Sequence, residues 1–312
     1  MSRDHGGGVD AAAARWGGTR SDWLDLSTGI NPQPYRIGEI SAEAWTALPD
    51  RAAEERLVAA ARSFWGVPEE AMVLPVPGAS AAIARMPLIA PPGPVAIPQP
   101  TYNEHAAAFR AAGREVVEAD APTRVFVNPN NPDGRYSAAE GHGAPGTLTV
   151  LDESFCDVAP DRSLIEATAE PGTVILKSFG KFWGLAGLRL GFAIGHPATL
   201  APLRDAIGPW AVSGPALEIG ARALTDLAWA QATREHLRRG AAALDLLMAQ
   251  AGGAFFGGTA LFRLYDLGDA GAFQERLAEH RILVRTFPYS EGWVRLGLPP
   301  EDGWARLEAA LA

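Results

Sequence analysis

The chain has 312 residues, 47% of them apolar and 20% charged, with a formal charge of −9. A nucleic-acid-binding face needs clustered basic charge, so this balance argues against a nucleic-acid partner, and so much apolar surface on a chain this long predicts a large core shared by two lobes. Cys156 is the single cysteine, which excludes an intrachain disulfide, fits a reducing compartment and reads as a small packed residue.

The opening Met1-Ser-Arg-Asp-His-Gly-Gly-Gly8 has no apolar core for a signal peptide, and no uncharged run reaches the roughly 18 residues of a membrane span, so a cytoplasmic location is expected. Residues 1–50, rich in Gly and Pro with little strand signal, are expected to form an N-terminal segment packing with the smaller domain. Beyond them, short apolar runs bounded by Gly and Pro predict buried strands at Met72–Val76, Pro94–Ile97, Arg124–Val127, Thr147–Leu151, Thr173–Leu176 and Leu188–Ile194. Ala79–Ile89 and Asn103–Ala112 predict helices between them. This rhythm predicts an α/β large domain over 51–205, with a mostly parallel central sheet flanked by helices. From about Leu200 the pattern changes. Helical spacing over Pro215–Leu227 and Trp229–Ala251, strands at Ala260–Leu264, Ile282–Arg285 and Trp293–Leu296, and helices at Ala272–His280 and Asp302–Leu311 predict a smaller α+β domain over 206–312.

The chemistry concentrates in the run Ser178-Phe-Gly-Lys181-Phe-Trp-Gly-Leu-Ala-Gly-Leu-Arg189, which follows a strand. A tight turn there can hold an amine, a hydroxyl and a guanidinium around one small anionic ligand, which suits a cofactor anchored on Lys181. Such an amine must be partly neutral to react, which needs desolvation or a cationic neighbour, and Phe179, Phe182 and Trp183 can supply an apolar wall. Ser178 and Arg189 suit a phosphate. Pro77-Gly78-Ala79-Ser80 follows a strand and opens a helix, where backbone amides can cradle an anion. Val150-Leu-Asp152 puts a carboxylate at the C-terminal end of a strand, the edge at which open α/β sheets bind ligands. Asn128-Pro-Asn-Asn131-Pro-Asp-Gly134 forms a turn, and Tyr102 follows another strand end, where its ring can stack on a flat ligand. Taken singly, each has a bland reading: a surface lysine, a common strand-to-helix turn, an N-cap, a loop, a core aromatic.

As an ordered set, these residues resemble the aspartate aminotransferase superfamily, the fold type I enzymes that use pyridoxal phosphate, over nearly the whole chain. The resemblance implies that Lys181 carries the cofactor, Asp152 pairs with its ring nitrogen, Asn131 bonds its phenolic oxygen and Tyr102 stacks on its ring. Gly78, Ala79, Ser80, Ser178 and Arg189 would hold its phosphate, and Arg295 the substrate carboxylate. Within the superfamily the chain is similar to histidinol-phosphate aminotransferases and to the L-threonine phosphate decarboxylases of cobalamin biosynthesis. Asp4-His5-Gly-Gly7, Asp25-Leu-Ser-Thr-Gly-Ile-Asn31-Pro32, Phe155 in place of an aminotransferase tyrosine, and Ile282-Leu-Val-Arg285 resemble the decarboxylases. This implies decarboxylation of L-threonine phosphate to aminopropanol phosphate, with His5, Asn31, Asn131, Arg285 and Arg295 toward the substrate, in a homodimer without a metal, a membrane or a nucleic acid. The alternative is transamination of histidinol phosphate or a related phosphorylated amino compound. Leu48 stands where the family commonly has a tyrosine that reaches the partner subunit's cofactor, so that contact is expected to be absent.

Overall fold

The computed structural model describes residues 5–137 and 146–312, and the chain divides into two compact units. The first comprises Met1–Pro34, Pro132–Arg135 and Ala232–Ala312, and the second Tyr35–Asn131 and Tyr136–Gln231.

The second unit is built on a seven-stranded sheet. Its strands are β1 (Met72–Val76), β2 (Val95–Ala96), β3 (Val116–Val117), β4 (Thr123–Val127), β5 (Leu148–Asp152), β6 (Thr173–Ser178) and β7 (Gly191–Gly195). Their order is β1-β7-β6-β5-β4-β2-β3, parallel from β6 through β3, with β7 antiparallel to both neighbours. Parallel strands need a crossover of a dozen or more residues, usually helical, but the link from β6 to β7 is spent on a tight turn, so β7 returns antiparallel. The β-branched runs that drive these strands are buried: Val76, Val95, Ile97, Val125, Val150 and Val174 form one core with Ile83, Met86, Phe109, Leu200 and Leu203 from flanking helices.

Several boundaries differ from the sequence expectation. Ala79–Ile89 is two helices, Ala79–Ile83 and Met86–Ile89, because Pro87 has no N–H to continue the first and its ring would meet the carbonyl of Ile83. The predicted strand from Leu188 starts only at Gly191, since Leu188 ends a 3-10 turn and Arg189 adopts left-handed φ 53°. The helix Arg51–Trp65 was not anticipated, although Asp50 caps its first turn and Gly66 ends it in the left-handed conformation. Its buried residues are Leu57, Ala60, Ala61 and Trp65, and it packs against helix Gly214–Thr225. Gly220 there allows a close approach, since a Cβ on it would lie 2.8 Å from Leu57 Cδ1. That packing puts residues 206–231 in the second unit, so the compact units do not divide at 205, nor at 50.

The first unit carries a four-stranded antiparallel sheet of β8 (Ala254–Thr259), β9 (Phe262–Asp266), β10 (Arg285–Phe287) and β11 (Ser290–Gly297), in the order β10-β11-β9-β8. Leu24–Asp25 pairs in parallel with Ile282–Leu283, which ties the N-terminal segment to the C-terminal part of the chain. Leu264, Leu277, Val294, Leu296 and Leu307 are among its buried apolar residues, contributed by both strands and helices.

Pro132–Arg135 belongs to this first unit because its backbone lies directly on β8. Gly134 has φ 74°, and a Cβ there would sit 2.1 Å from the Gly258 carbonyl oxygen. Only glycine satisfies both the conformation and the contact. Gly134→Ala is expected to lower unfolding free energy by about 2 kcal/mol or more, measured by urea denaturation. A change within about 0.5 kcal/mol would contradict the tight contact.

Candidate active site

Sheet register brings the cleft together. Val76 of β1 and Ser178 of β6 both align with Gly191 of β7, so the turn after β1, the end of β6 and the approach to β7 share one sheet edge. Gly78 takes φ 82°, and a Cβ there would lie 2.5 Å from Arg189 Nη2. A Cβ on Gly191 would be 2.4 Å from the Ala79 backbone nitrogen, so the β1 turn lies directly on β7. Arg189 donates from Nη1 to the Ala186 carbonyl at 3.1 Å, and the Ser178 hydroxyl accepts from the Gly180 amide at 3.2 Å. The left-handed backbone of Arg189 and these short turns bring a guanidinium and two serine hydroxyls, Ser80 and Ser178, to one cleft.

At another wall of this cleft Asp152 ends β5, aligned with Val127 of β4 and Leu176 of β6. Its side chain is 3% exposed. Burial alone would raise its pKa, but the hydrogen bond and charge of His105 and the hydrogen bonds of Ser154 outweigh it and hold the carboxyl below the ordinary 3.8. His105 Nε2 lies 2.9 Å from Oδ2, while the Ser154 amide and hydroxyl donate to Oδ1 at 3.0 and 2.5 Å. An ionised carboxylate in a closed place is therefore stable, and it can keep a ring nitrogen protonated.

The chain contains two lysines, Lys177 and Lys181. Lys177 points into the core, 2% exposed, with Nζ donating to Glu153 at 2.7 Å. Burial works against its charge, but Glu153 and Asp157 more than offset it, so the ammonium is held charged above its ordinary range. That leaves Lys181 as the amine lining the cleft, with Nζ 5.2 Å from the centre of the Phe155 ring. The cleft, about 120 Å³, is also lined by Ala79, Tyr102 and Asn131. Gly78 acts from behind Arg189 and is not in the lining. The arrangement pairs a phosphate-sized cationic and hydroxyl end with an ionised acid, leaving one amine to attach a carbonyl compound covalently.

The remaining expected residues lie in the first unit. Arg285 and Arg295 are register partners across β10 and β11. Arg295 is 5% exposed and donates to the Ser27 carbonyl at 2.7 Å. Burial, then the like charge of Arg285, pulls its pKa down to about 10. Two neighbouring guanidiniums favour an anion bearing charge at two points. Asn31 is buried, and its side-chain oxygen accepts from the Gln33 amide at 2.9 Å. His5 is exposed, and the backbone beside it is held by the Gly7 amide donating to Ser27 Oγ at 2.7 Å. Asp4 lies outside the described residues.

The family model for class I and II aminotransferases matches residues 22–307. The chain belongs to the class I and II aminotransferase family. Among the relatives of this aminotransferase-family chain is the threonine-phosphate decarboxylase of Sinorhizobium sp, 43% identical, with 99% of this chain and 97% of that protein covered. That of Pseudomonas aeruginosa is 40% identical at the same coverage. In fold, the chain is similar to the histidinol-phosphate aminotransferase from Sinorhizobium meliloti, a structure in complex with pyridoxal-5'-phosphate. The TM-score is 0.83 at 20% identity, with 97% of this chain and 93% of that one covered.

Two residues of this aminotransferase-family site were missed in the sequence. His105 carried no local sign of burial in its alanine-rich helix, and Ser154 carried no signal beyond lying two residues after Asp152. Among the described residues no group of His, Cys, Asp and Glu is arranged to hold a metal, and no helix is long and apolar enough to cross a membrane. Because its folded pKa is depressed, Asp152 contributes stability that is complete above the unfolded-state value of about 3.9 and is lost as pH falls through the lower folded value. The stability difference between wild type and Asp152→Asn should be level near neutral pH and shrink in acid when measured by urea denaturation. A difference independent of pH would contradict the assignment.

Proposed function

We propose that the chain is a pyridoxal-phosphate-dependent decarboxylase that converts L-threonine phosphate to aminopropanol phosphate in cobalamin biosynthesis. The observation that carries the reading is the 43% identity, over nearly the full length of both chains, to a threonine-phosphate decarboxylase.

The residues fit the cofactor. Gly78 leaves the room beside Arg189 that any larger residue would fill, so Ala79, Ser80, Ser178 and Arg189 would hold its phosphate. Asp152, kept ionised by His105 and Ser154, would face its ring nitrogen, with Asn131 toward the phenolic oxygen, Tyr102 against the ring and Lys181 as the covalent anchor. When bound, pyridoxal phosphate supplies an electron sink that draws electrons from a bond at the substrate α-carbon.

The chain's own residues then decide which bond breaks. Arg295 would fix the substrate carboxylate, and Arg285 with His5 and Asn31 its phosphate. Holding both ends limits rotation about the α-carbon and selects the bond to the carboxylate, since orientation of this kind can supply several kcal/mol. Lys181 would carry the proton delivered to the α-carbon. Phe155, beside the Lys181 amine, supplies an apolar wall without a hydroxyl.

In this reading the enzyme is cytoplasmic and works as a homodimer. Trp45 and Leu48 are 69% and 68% exposed on one short stretch, an apolar surface that a symmetric second copy would cover. Size-exclusion chromatography with light scattering should give twice the 32.9 kDa chain mass, and a monomer would remove the dimer from the reading.

Purified protein given pyridoxal phosphate and L-threonine phosphate should release carbon dioxide without a 2-oxo acid. Transamination of histidinol phosphate with 2-oxoglutarate at a comparable rate would overturn the decarboxylase reading. Arg285→Ala should lower kcat/KM for L-threonine phosphate by roughly 10- to 100-fold, as expected for a charge-assisted contact worth about 1.5–3 kcal/mol. Unchanged kcat/KM would remove Arg285 from the phosphate site.

A further inference from the structure

Behind the cleft lies a fully buried cluster that the chemistry above does not use. Asp157, 3% exposed, accepts two indole N–H groups, from Trp65 at 2.8 Å on Oδ1 and from Trp183 at 3.1 Å on Oδ2. Lys177 Nζ is 3.9 Å from Oδ1 and donates to Glu153 at 2.7 Å. Glu153 also accepts from the Ser163 hydroxyl at 2.5 Å and the Leu164 amide at 2.7 Å, so the buried charges are compensated.

Trp183 lies two residues beyond Lys181. Its ring is stacked between Phe179, at 5.0 Å and 11°, and Trp229, at 5.3 Å and 14°, and its carbonyl accepts from the Tyr35 amide at 2.9 Å. Stacking fixes the plane of the indole but not which edge points inward; the hydrogen bond to Asp157 selects the edge. The turn is closed on itself by the Gly184 amide donating to the Lys181 carbonyl and the Leu185 amide to the Phe179 carbonyl. Trp183 and Lys181 thus sit in one hydrogen-bonded turn, two residues apart. Asp157 also ends the short segment that begins at Asp152 and includes Phe155, so one stretch of chain carries the cleft acid, the wall beside the Lys181 amine and the anchor of the lysine turn.

We propose that Asp157 is a positioning residue for Lys181, acting through the Trp183 indole. The proposal rests on the pyridoxal phosphate reading above. A core carboxylate with a merely structural role would serve Trp65 and Trp183 alike. A positioning role makes the Trp183 bond count for the lysine and the Trp65 bond for stability alone.

The test compares Trp183→Phe, which keeps an aromatic ring but loses the N–H, with Asp157→Asn and with Trp65→Phe, which takes the other indole N–H from the same carboxylate. Each cofactor-loaded protein is titrated with pH in the absence of substrate while the visible absorbance of the lysine-bound cofactor is followed; thermal unfolding and steady-state kinetics are measured alongside. Trp183→Phe and Asp157→Asn should move the absorbance midpoint by about one pH unit or more and lower kcat about ten-fold or more, with KM within about two-fold, as a small misplacement of a reacting group does. Trp65→Phe should lower the melting temperature and leave the midpoint in place. If Trp183→Phe does not fold, the comparison of Asp157→Asn with Trp65→Phe decides. Wild-type midpoints in Trp183→Phe and Asp157→Asn, or an equal shift in Trp65→Phe, would overturn the positioning role while leaving the cofactor reading intact. A wild-type protein that takes up no visible-absorbing cofactor would overturn both.

Discussion

A carboxylate buried at the end of a strand stays ionised only if its surroundings replace the water it has lost, and much of the second unit follows from meeting that condition at Asp152. His105 meets part of it from helix Asn103–Ala111, which ties that helix to β5. Ser154 meets the rest by folding the chain back immediately after the strand. Tyr102, at the start of the same helix, meets the His105 ring nearly edge-on at 6.1 Å and 81°. One ion thus sets the relation of a strand end, a turn and a helix start.

The two lysines show the same principle with opposite outcomes. Lys177 sits among carboxylates that hold its charge firmly, which makes it a poor nucleophile. Lys181, four residues later on the far side of the strand end, lines the cleft against the Phe155 face. In the first unit the paired arginines work the other way: burial and Arg285 both act against the charge of Arg295. Proteins commonly tolerate such local electrostatic cost where a ligand offsets it.

What could be read in the sequence was what short-range pattern encodes. Lys181, Ser178 and Arg189 share one turn; Asp152 and Gly78 sit at strand ends that apolar runs and glycine mark out. The cleft places Ala79, Ser80, Tyr102, Asn131, Asp152, Ser178, Lys181 and Arg189 together because strand register does the gathering. His105 was not legible, since its partner is 47 residues away in sequence and a histidine inside an alanine-rich helix carries no local sign of burial. Glu153 and Lys177 were hidden for a related reason: their mutual partnership spans 24 residues of sequence, and neither carries a local sign of burial. The helix Arg51–Trp65 was legible in principle, since Asp50 and Gly66 mark its ends and Leu57, Ala60, Ala61 and Trp65 recur at helical spacing on its buried face, and the split in Ala79–Ile89 followed from Pro87.

The most direct test is the identity of the lysine that carries the cofactor. Borohydride reduction of the protein loaded with pyridoxal phosphate, followed by proteolysis and mass spectrometry, distinguishes the two lysines of the chain. The account predicts a reduced pyridoxyl adduct on Lys181 with Lys177 unmodified. An adduct on Lys177, or none on either, would contradict it.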